Sequence, residues 1–269
     1  MLRRLRAQHA ALLAPCLRSP RGALSNSLGP ELGVSEPFVT AILLAAGAGE
    51  RFGGDTPKQF APLMGEPAFV HPLRVLVSCT RVDAVVVVLP AVRDLKVDEA
   101  ARLPKITSMV RGGKTRQGSL SAGMARIPGQ TSVVLIHDAA RPFVNETQVV
   151  DVLDGLKGAD GAISAVPLED SIKQGSPEGE ILRSLGRDLV WRAQTPQVFQ
   201  RAALEEGLRL ADEEGFESTD CSELVVRAGL SVKLVEGDPY NMKLTRAEDL
   251  KLGEMILRTR SGVEYVWED

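Results

Sequence analysis

The chain has 269 residues, which is enough for one large α/β domain or two smaller ones. Hydrophobic residues make up 44% and charged residues 25%, an ordinary globular composition that argues against a mostly disordered chain, a collagen-like repeat or a membrane protein. The net charge of -3 provides no overall basic field, so nucleic acid is not an expected partner. The three cysteines are scattered and form no CxxC pair, which fits a reducing compartment.

The first 35 residues differ in composition from the rest of the chain. Residues 1–30 contain no acidic residue, and five arginines are spread among leucines, alanines and serines. This composition resembles an organelle transit peptide, and an unstructured extension translated upstream of the true start is the alternative. We predict a flexible or targeting-like extension over 1–35 and a single domain over 36–269. The expected location is the bacterial cytoplasm, or a plastid if the extension is a transit peptide.

Strands and helices alternate along the remaining chain. The continuous apolar run from Phe38 to Ala46, closed by glycines, is typical of a strand buried on both faces of a parallel sheet. Further strands are predicted at 84–89, 132–136, 161–165 and 232–235. Helices are predicted at 69–77, 117–125, 146–156, 201–214, 220–228 and 246–257. This alternation indicates an α/β fold of βαβ units with helices on both faces of the sheet.

The segment 167–188 interrupts this alternation. It carries three glycines and Pro177 among polar residues, with few apolar positions. We predict a β-hairpin arm that leaves the domain and contacts a second subunit; a simple surface loop is the alternative.

A glycine-rich loop, Ala45 to Gly53, follows the first strand, where ligands of open α/β sheets collect. The dinucleotide fingerprint fails because Phe52 stands where its third glycine should be, and Ser108 breaks the Walker pattern before GKT. What remains is a loop with exposed backbone N–H groups, followed by Arg51 and Lys58. Two cations beside such a turn can clamp a polyphosphate. A structural glycine turn with two surface cations is the alternative.

The stretch LLAAGAGERFGGDTPKQF resembles the opening signature of the sugar-phosphate cytidylyltransferase family. Five later blocks agree with the family in order and spacing: Gly112 to Ser119, His137 to Pro142, Gln194 to Gln197, Thr219 to Asp220, and Asn241 to Thr245. The similarity runs from about Thr40 to Leu257 and is closest to the members that act on methylerythritol phosphate in isoprenoid synthesis. A glycine loop alone is a weak signal, whereas five ordered blocks are specific.

The resemblance implies a three-layer Rossmann-like nucleotidyltransferase fold with a mostly parallel twisted sheet and a protruding β-arm. It implies transfer of CMP from CTP to 2-C-methyl-D-erythritol 4-phosphate, giving the CDP-linked alcohol and pyrophosphate. The sister activity on ribitol 5-phosphate is an alternative, although Ala46 and Ala140 favour methylerythritol phosphate. A non-catalytic nucleotide-binding regulatory protein is the other alternative, but Arg51 and Lys58 are both retained.

On the nucleotide side, the resemblance implies two catalytic cations and two binding loops. Lys58 would contact the α-phosphate and Arg51 the departing pyrophosphate. The implied nucleotide-binding residues are Ala45, Ala46, Gly47, Ala48, Gly49, Gly112, Gly113, Lys114, Arg116 and Ser119. Because an acidic residue is common where Lys114 stands, UTP or looser base selection is the alternative to strict use of CTP.

On the acceptor side, Asp138 would bind the hydroxyls of the polyol. The implied substrate-binding residues are Asp138, Arg141, Ser171, Arg187, Thr195, Thr219 and Lys243. Ser171 and Arg187 belong to the arm and would reach the neighbouring active site of a homodimer. The alternatives are a turn or helix-capping role for Asp138, a salt bridge for Arg141 and a solvated Lys243. His137 is interpreted as structural, because no second ligand is spaced as a zinc site would need.

The chemistry also implies Mg²⁺ or another divalent cation. A triphosphate brings its own oxygen ligands, and Mg²⁺ commonly keeps several waters while bridging phosphates. No protein ligand of the metal is assigned. CTP and a polyol phosphate are the expected partners, without nucleic acid or membrane.

Overall fold

The computed structural model describes residues 36–47, 52, 57–91 and 97–260. Within them, the strands in chain order are β1 (Val39–Leu44), β2 (Pro62–Leu63), β3 (Glu66–Pro67), β4 (Ala84–Leu89), β5 (Ile106–Arg111), β6 (Val133–Asp138), β7 (Gly161–Pro167), β8 (Ile172–Gly175), β9 (Ile181–Leu185), β10 (Trp191–Gln200) and β11 (Val232–Glu236). The helices are α1 (Val70–Ser78), α2 (Asp98–Ala101), α3 (Arg116–Met124), α4 (Glu146–Gly155), α5 (Arg201–Glu214), α6 (Cys221–Arg227) and α7 (Asp249–Arg260). None of these helices combines the length and apolar character that a membrane crossing requires.

A seven-stranded sheet in the order β11-β7-β10-β6-β1-β4-β5 forms the centre of the fold. Neighbouring strands are parallel, except that β10 runs antiparallel to both β6 and β7. The predicted mostly parallel α/β sheet is therefore confirmed. The central position of β1 explains its continuous apolar sequence, since neighbouring strands flank it and helices cover both faces.

Helices cover the sheet on both sides and give three layers. Val39, Ala41 and Leu43 of β1 belong to the core on one face, which includes side chains of α1 and α4. Ile42 belongs to the core on the other face, with side chains of α3, α5 and α6. The two-residue alternation of a strand divides β1 between two cores.

Two strands of the sheet were not predicted from the sequence. β5 (ITSMVR) is an edge strand with only partial burial, and its polar residues give no clean apolar run. β10 (WRAQTPQVFQ) contains Pro196, and its pairing with β7 shifts register between Ala193 and Gln197. A proline and an irregularity inside a central strand remove the usual strand pattern.

The last helix begins three residues later than predicted, at Asp249 rather than Arg246. The Asp249 carboxylate accepts hydrogen bonds from the N–H groups of Thr245 at 2.6 Å and Arg246 at 2.8 Å. Residues 245–248 therefore form a turn that the aspartate closes before the helix starts.

The predicted excursion after β7 is an antiparallel hairpin of β8 and β9, separate from the main sheet. The predicted arm covers residues 167–188, but the Leu168 N–H donates to the Val190 carbonyl at 3.0 Å, so we extend the arm to residues 167–190. Large apolar side chains of the arm are exposed: Ile181 by 69%, Leu182 by 60% and Leu189 by 94%. Exposed apolar residues concentrated on one projection are typical of an interaction surface.

Candidate active site

The candidate site lies at the carboxyl edge of the parallel strands, where ligands of open α/β sheets bind. Leu44 at the end of β1 pairs with Asp138 at the end of β6 and with Val88 of β4. Because β10 runs the opposite way, its first half reaches this same edge. There the Thr195 hydroxyl accepts a hydrogen bond from the Asp138 N–H at 3.1 Å.

The first loop, which is the glycine-rich loop from Ala45 to Gly53, continues directly from β1. Ala45 is buried and its N–H donates to the Val88 carbonyl at 2.8 Å, whereas Gly47 is exposed. Ala46 lies between them and is half-buried. The other predicted members of this region, Ala48, Gly49 and the catalytic candidate Arg51, lie outside the described residues.

The buried side chain of Gln59 holds the start of the first loop through hydrogen bonds. Gln59 is 2% exposed, and its side-chain amide donates to the carbonyl oxygens of Ala45 at 2.6 Å and Gly47 at 2.8 Å. Lys58 precedes it in a 3-10 turn and is half-buried. Lys58, the second predicted catalytic cation, is thereby tied through its neighbour to the predicted nucleotide loop.

The second loop follows β5 and packs against the first. A Cβ placed on Gly112 would lie 2.3 Å from the Ala46 Cβ and 2.6 Å from the Ser119 Oγ, so no side chain fits there. The Ser119 hydroxyl donates to the Thr115 carbonyl at 2.9 Å. Thr115 in turn caps α3 by accepting from the Gly118 N–H at 3.0 Å. The two predicted nucleotide loops are therefore in direct contact.

Gly113 and Lys114 complete the second loop. A Cβ on Gly113 would lie 2.8 Å from the backbone carbon of Gly118, so this turn is also tightly closed. The Lys114 residue is exposed. Its influence on base selection stays a prediction.

Asp138 is the centre of a charged cluster, which we call the Asp138 centre: Asp138, Arg116 and Lys243. The Arg116 Nη2 donates to Oδ1 at 3.1 Å and the Lys243 Nζ donates to Oδ2 at 2.7 Å. Burial alone would raise the pKa of Asp138, but Arg116 and Lys243 outweigh it and hold that pKa well below its ordinary value. The carboxylate is therefore ionised at neutral pH, and the centre carries a net positive charge.

Arg116 makes a second contact on its other side, where Nη1 donates to the Cys221 Sγ at 3.2 Å. Burial lowers the pKa of Arg116, but its contacts with Cys221 and Asp138 outweigh this effect and hold the pKa above its ordinary value. Arg116, predicted as a nucleotide-binding residue, is thus placed between α6 and the Asp138 carboxylate. It connects the predicted nucleotide side to the predicted acceptor side.

His137 lies directly behind Asp138 and is fully buried. Its Nε2 is 2.9 Å from the Arg141 carbonyl, which can only accept, so Nε2 carries the proton. Its Nδ1, 3.0 Å from the Thr195 Oγ1, then accepts from that hydroxyl. Burial lowers the pKa of His137 to about 4, so the ring is neutral at pH 7. The structural interpretation of His137 agrees with these contacts.

Arg141 and Asn241 fasten the segment that carries Lys243. The Arg141 guanidinium donates to the carbonyls of Asn241 at 2.8 Å and Ala193 at 3.1 Å. The buried Asn241 side chain donates to the Thr195 carbonyl at 2.8 Å. Arg141 therefore bonds to backbone carbonyls here, and its predicted contact with a substrate anion stays a prediction.

Thr219 lies just before α6 and is exposed. Its N–H and hydroxyl donate to the Glu223 carboxylate at 2.8 and 3.1 Å. The helix cap itself is Asp220, whose side chain accepts from the Glu223 N–H. The structure thus gives Thr219 a local contact, and its substrate role stays a prediction.

Ser171 and Arg187 lie on the arm rather than in the Asp138 centre, and both are exposed. Arg187 donates a hydrogen bond to the Glu169 carbonyl within the arm. Their predicted action in a neighbouring active site requires a second copy of the chain.

Sequence reasoning gave no role to the buried amides that hold this edge of the sheet together. Besides Gln59, the Gln197 side chain donates to the Asp220 carboxylate and accepts from the Cys221 N–H, both at 3.2 Å. Gln194 donates to the Asp238 carbonyl at 2.8 Å. The only signal in the sequence was that these residues stand inside the blocks that carry the predicted site.

The chain is similar to known proteins over most of its length. The profile of one family, described as 2-C-methyl-D-erythritol 4-phosphate cytidylyltransferase, matches residues 39–259. A relative with that name from Symbiobacterium thermophilum is 38% identical over 221 residues, covering 81% of this chain and 92% of the relative. A chloroplastic protein of the same name from Oryza sativa subsp. japonica is 31% identical, covering 96% of this chain and 89% of its own length.

A solved structure with the same name shares the architecture. The crystal structure of the enzyme from Thermus thermophilus superposes with a TM-score of 0.68 at 30% sequence identity. The superposition covers 81% of this chain and 98% of that one. The similarity therefore extends over nearly the whole of the known structure.

Proposed function

The chain belongs to the 2-C-methyl-D-erythritol 4-phosphate cytidylyltransferase family, and on that premise we propose that the Asp138 centre and the two adjoining loops are its active site. The enzyme transfers CMP from CTP to 2-C-methyl-D-erythritol 4-phosphate in isoprenoid biosynthesis. The products are 4-diphosphocytidyl-2-C-methyl-D-erythritol and pyrophosphate. The observation that carries the site assignment is Asp138, held ionised between Arg116 and Lys243 at the carboxyl edge of the sheet.

The reaction needs no protein nucleophile. A phosphate oxygen of the acceptor attacks the α-phosphorus of CTP, and pyrophosphate leaves. Catalysis then consists mainly of aligning the two phosphates and stabilising charge on the oxygens of the transferred group. We assign this stabilisation to Lys58, with Arg51 at the departing pyrophosphate. A lysine suits the task because its ammonium group is a compact charge with three donors.

The first and second loops form the proposed CTP site. Contact between Gly112 and Ala46 brings both loops to one place, where backbone N–H groups can face a ligand. The N-terminal end of α3 starts in the second loop, where backbone N–H groups of the first helical turn can donate to the acceptor atoms of a base. We place the cytosine beside the segment from Gly112 to Ser119 and the phosphates beside the first loop.

The Asp138 centre forms the proposed acceptor site. A polyol phosphate presents hydroxyls and a phosphate, so its site needs both a hydrogen-bond acceptor and positive charge. Each carboxylate oxygen can accept more than one hydrogen bond, and Lys243 uses one of three donors on Asp138. Asp138 can therefore accept from hydroxyls, while Lys243 attracts the phosphate and Arg116 connects this site to the CTP site.

We also propose a divalent cation, Mg²⁺ or another, held mainly by the phosphates of CTP. When bound, such an ion would neutralise charge on those phosphates. Among the described residues, no three His, Cys, Asp or Glu side chains are grouped to hold a metal ion. Both oxygens of Asp138 already accept from cations, which fits an ion whose ligands are mostly phosphate oxygens and waters.

The arm supports a homodimer in which each subunit completes the other's site. Ile181, Leu182 and Leu189 expose apolar surface that a second copy would cover. Ser171 and Arg187 supply a hydroxyl and a cation on the same projection, suited to a substrate phosphate. An isologous dimer would bring both arms into equivalent positions.

We propose a location in the bacterial cytoplasm, with a plastid as the alternative. The relatives include a bacterial protein and a chloroplastic one whose similarity covers 96% of this chain. Mass spectrometry of the native N-terminus distinguishes the cases. An intact Met1 would exclude cleavage, whereas a start near Val34 would support processing or an alternative start codon.

The proposed site and substrates are tested by release of pyrophosphate from purified protein with Mg²⁺ and CTP. Methylerythritol phosphate and ribitol 5-phosphate are compared as acceptors, and UTP is compared with CTP. We expect release with CTP and methylerythritol phosphate that collapses in Lys58→Ala. Release only with ribitol 5-phosphate would assign the sister activity, and no release from folded protein would contradict the assignment.

A further inference from the structure

Gln59 stands out because it is a buried residue whose side-chain amide donates two hydrogen bonds to the predicted nucleotide loop. It is 2% exposed and lies in the 3-10 turn after β1, not in the sheet. Its Nε2 is 2.6 Å from the Ala45 carbonyl oxygen and 2.8 Å from the Gly47 carbonyl oxygen. A primary amide has two N–H donors, and here each has its own acceptor.

These two bonds fix the direction of the Ala45 and Gly47 carbonyl groups at the start of the loop. In a trans peptide the C=O and N–H bonds point in opposite directions. Turning the Ala45 carbonyl towards Gln59 therefore turns the Ala46 N–H away from it. The Ala45 N–H is itself fixed by its bond to Val88 of β4. Gln59 thus determines which side of the segment from Ala45 to Gly47 presents donors and which side presents acceptors.

The backbone of Gln59 is anchored on its other side. Its carbonyl accepts from the Phe69 N–H at 2.8 Å, and the rings of Phe60 and Phe69 pack with centroids 5.0 Å apart. The turn that carries Lys58 is therefore attached to the start of α1. The side chain of Gln59 joins this anchored turn to the nucleotide loop, so it fixes the position of Lys58 relative to that loop.

We propose that Gln59 is a positioning residue for CTP: it orients the first loop to present N–H donors to the nucleotide and keeps that loop in register with Lys58. This inference rests on the proposed assignment of the first loop to CTP. The chemistry requires an uncharged double donor. A glutamate would face two carbonyl oxygens without a proton to offer, and an apolar side chain would leave both carbonyls unpaired.

The test compares Gln59→Met and Gln59→Glu with the wild type and with Gln148→Glu. Gln148 is also a buried glutamine, but it caps α4 through its carbonyl oxygen, which a glutamate keeps. Calorimetry measures the affinity for CTP, and steady-state kinetics measure KM for each substrate. We expect Gln59→Met to weaken CTP binding roughly ten- to a hundredfold. The KM for methylerythritol phosphate and the CTP affinity of Gln148→Glu should change by no more than about twofold.

The pH dependence separates positioning from loss of packing. Burial raises the pKa of a carboxyl group, and its protonated form can donate one hydrogen bond. The CTP affinity of Gln59→Glu should therefore recover towards the wild type as the pH falls from 8 to 5.5, whereas the defect of Gln59→Met should not change with pH.

Several outcomes would overturn the proposal. These are unchanged CTP affinity in Gln59→Met, equal rises in KM for both substrates, or identical pH profiles of the two variants. Thermal denaturation shows whether each variant is folded. The CTP affinity of folded Gln59→Met is sufficient to decide the proposal. If the affinities change as expected but the wild type releases no pyrophosphate, the proposed activity fails while the positioning role stands.

Discussion

His137 shows how a single buried side chain makes the protein sensitive to acid. Its pKa is about 4 in the fold because of burial, against an ordinary value of 6.5. As the pH falls below 6.5, His137 binds a proton in the unfolded chain but stays neutral in the folded chain. The free energy of unfolding therefore decreases until about pH 4. Between pH 8 and pH 5 this loss is about 2 kcal/mol.

Denaturant unfolding at both pH values checks this prediction, with His137→Gln as the comparison. Because the variant lacks the titrating ring, the decrease in its free energy of unfolding between pH 8 and pH 5 should be smaller than that of the wild type by about 2 kcal/mol. The other two histidines are present in both proteins, so their effects cancel in the difference. Equal pH dependence in the two proteins would show that His137 is not kept neutral by the fold.

Lys58 is predicted to stabilise charge at the α-phosphate. Removing one fixed donor from such a site typically lowers kcat on the order of 10²- to 10³-fold, and we expect this from Lys58→Ala. Lys251→Ala removes an exposed lysine from α7 and should leave kcat unchanged. Stopped-flow or coupled assays of pyrophosphate release measure both. A rise in KM alone, without a change in kcat, would show that Lys58 does not act on the reacting atoms.

Among the elements, β10 carries Thr195 to the site and was not predicted from the sequence. Its antiparallel direction brings Thr195 to the carboxyl edge, where the hydroxyl lies between Asp138 and His137. Its sequence has no apolar run before the bulge and contains Pro196. The buried strands β1 and β4, by contrast, were predicted closely because uninterrupted apolar residues are needed between two layers of helices.

The same contrast holds for the site. Family motifs indicated Asp138, Arg116 and Lys243 one by one, but their mutual hydrogen bonds depend on strand order and direction, which no local pattern encodes. Gln59 and Cys221 were not assigned, since their roles follow from what they contact across the fold. Sequence patterns thus predicted chemically distinctive residues and missed the neutral side chains that position them.

The contact between the two loops predicts the effect of a substitution at Gly112. In Gly112→Ala the new methyl group would collide with Ala46 and Ser119, so the loops must separate. Because small displacements of bound groups are costly in catalysis, we expect kcat/KM for CTP to fall on the order of 10- to 100-fold. Gly129→Ala is the matched control, since a Cβ there meets nothing within 4 Å. Equal activity of the two variants would show that the loops tolerate separation.

For the whole molecule, the question is whether each active site uses an arm from another subunit. If Arg187 acts in trans, a mixture of Arg187→Ala and Lys58→Ala subunits forms heterodimers in which one site has both intact residues. Random exchange should then restore about a quarter of wild-type activity from two nearly inactive proteins. Mixing after mild dissociation, followed by the pyrophosphate assay, measures this recovery. No recovery, with exchange verified by mass spectrometry, would place Arg187 in its own subunit's site or outside the reaction.

The apolar surface of the arm can be tested in the same assembly. Changing Leu182 to Asp should convert the dimer to monomers, because a charge would be buried where a second copy packs. Val226→Asp changes an apolar residue that is 57% exposed on α6 and should leave the dimer intact. Light scattering at working concentrations distinguishes the two. Monomeric wild-type protein would contradict the dimer altogether.

We assign the Asp138 centre to the acceptor rather than to the nucleotide. Steady-state kinetics of Asp138→Asn at saturating CTP, with CTP affinity measured separately by calorimetry, test it most directly. The amide keeps the shape of the side chain. It replaces one acceptor oxygen with an NH₂ group and removes the negative charge that balances Arg116 and Lys243. We expect KM for methylerythritol phosphate to rise at least about tenfold, the loss of one or two charge-assisted hydrogen bonds, with CTP affinity nearly unchanged. An unchanged KM for the acceptor, or an equal loss of CTP affinity, would contradict the claim.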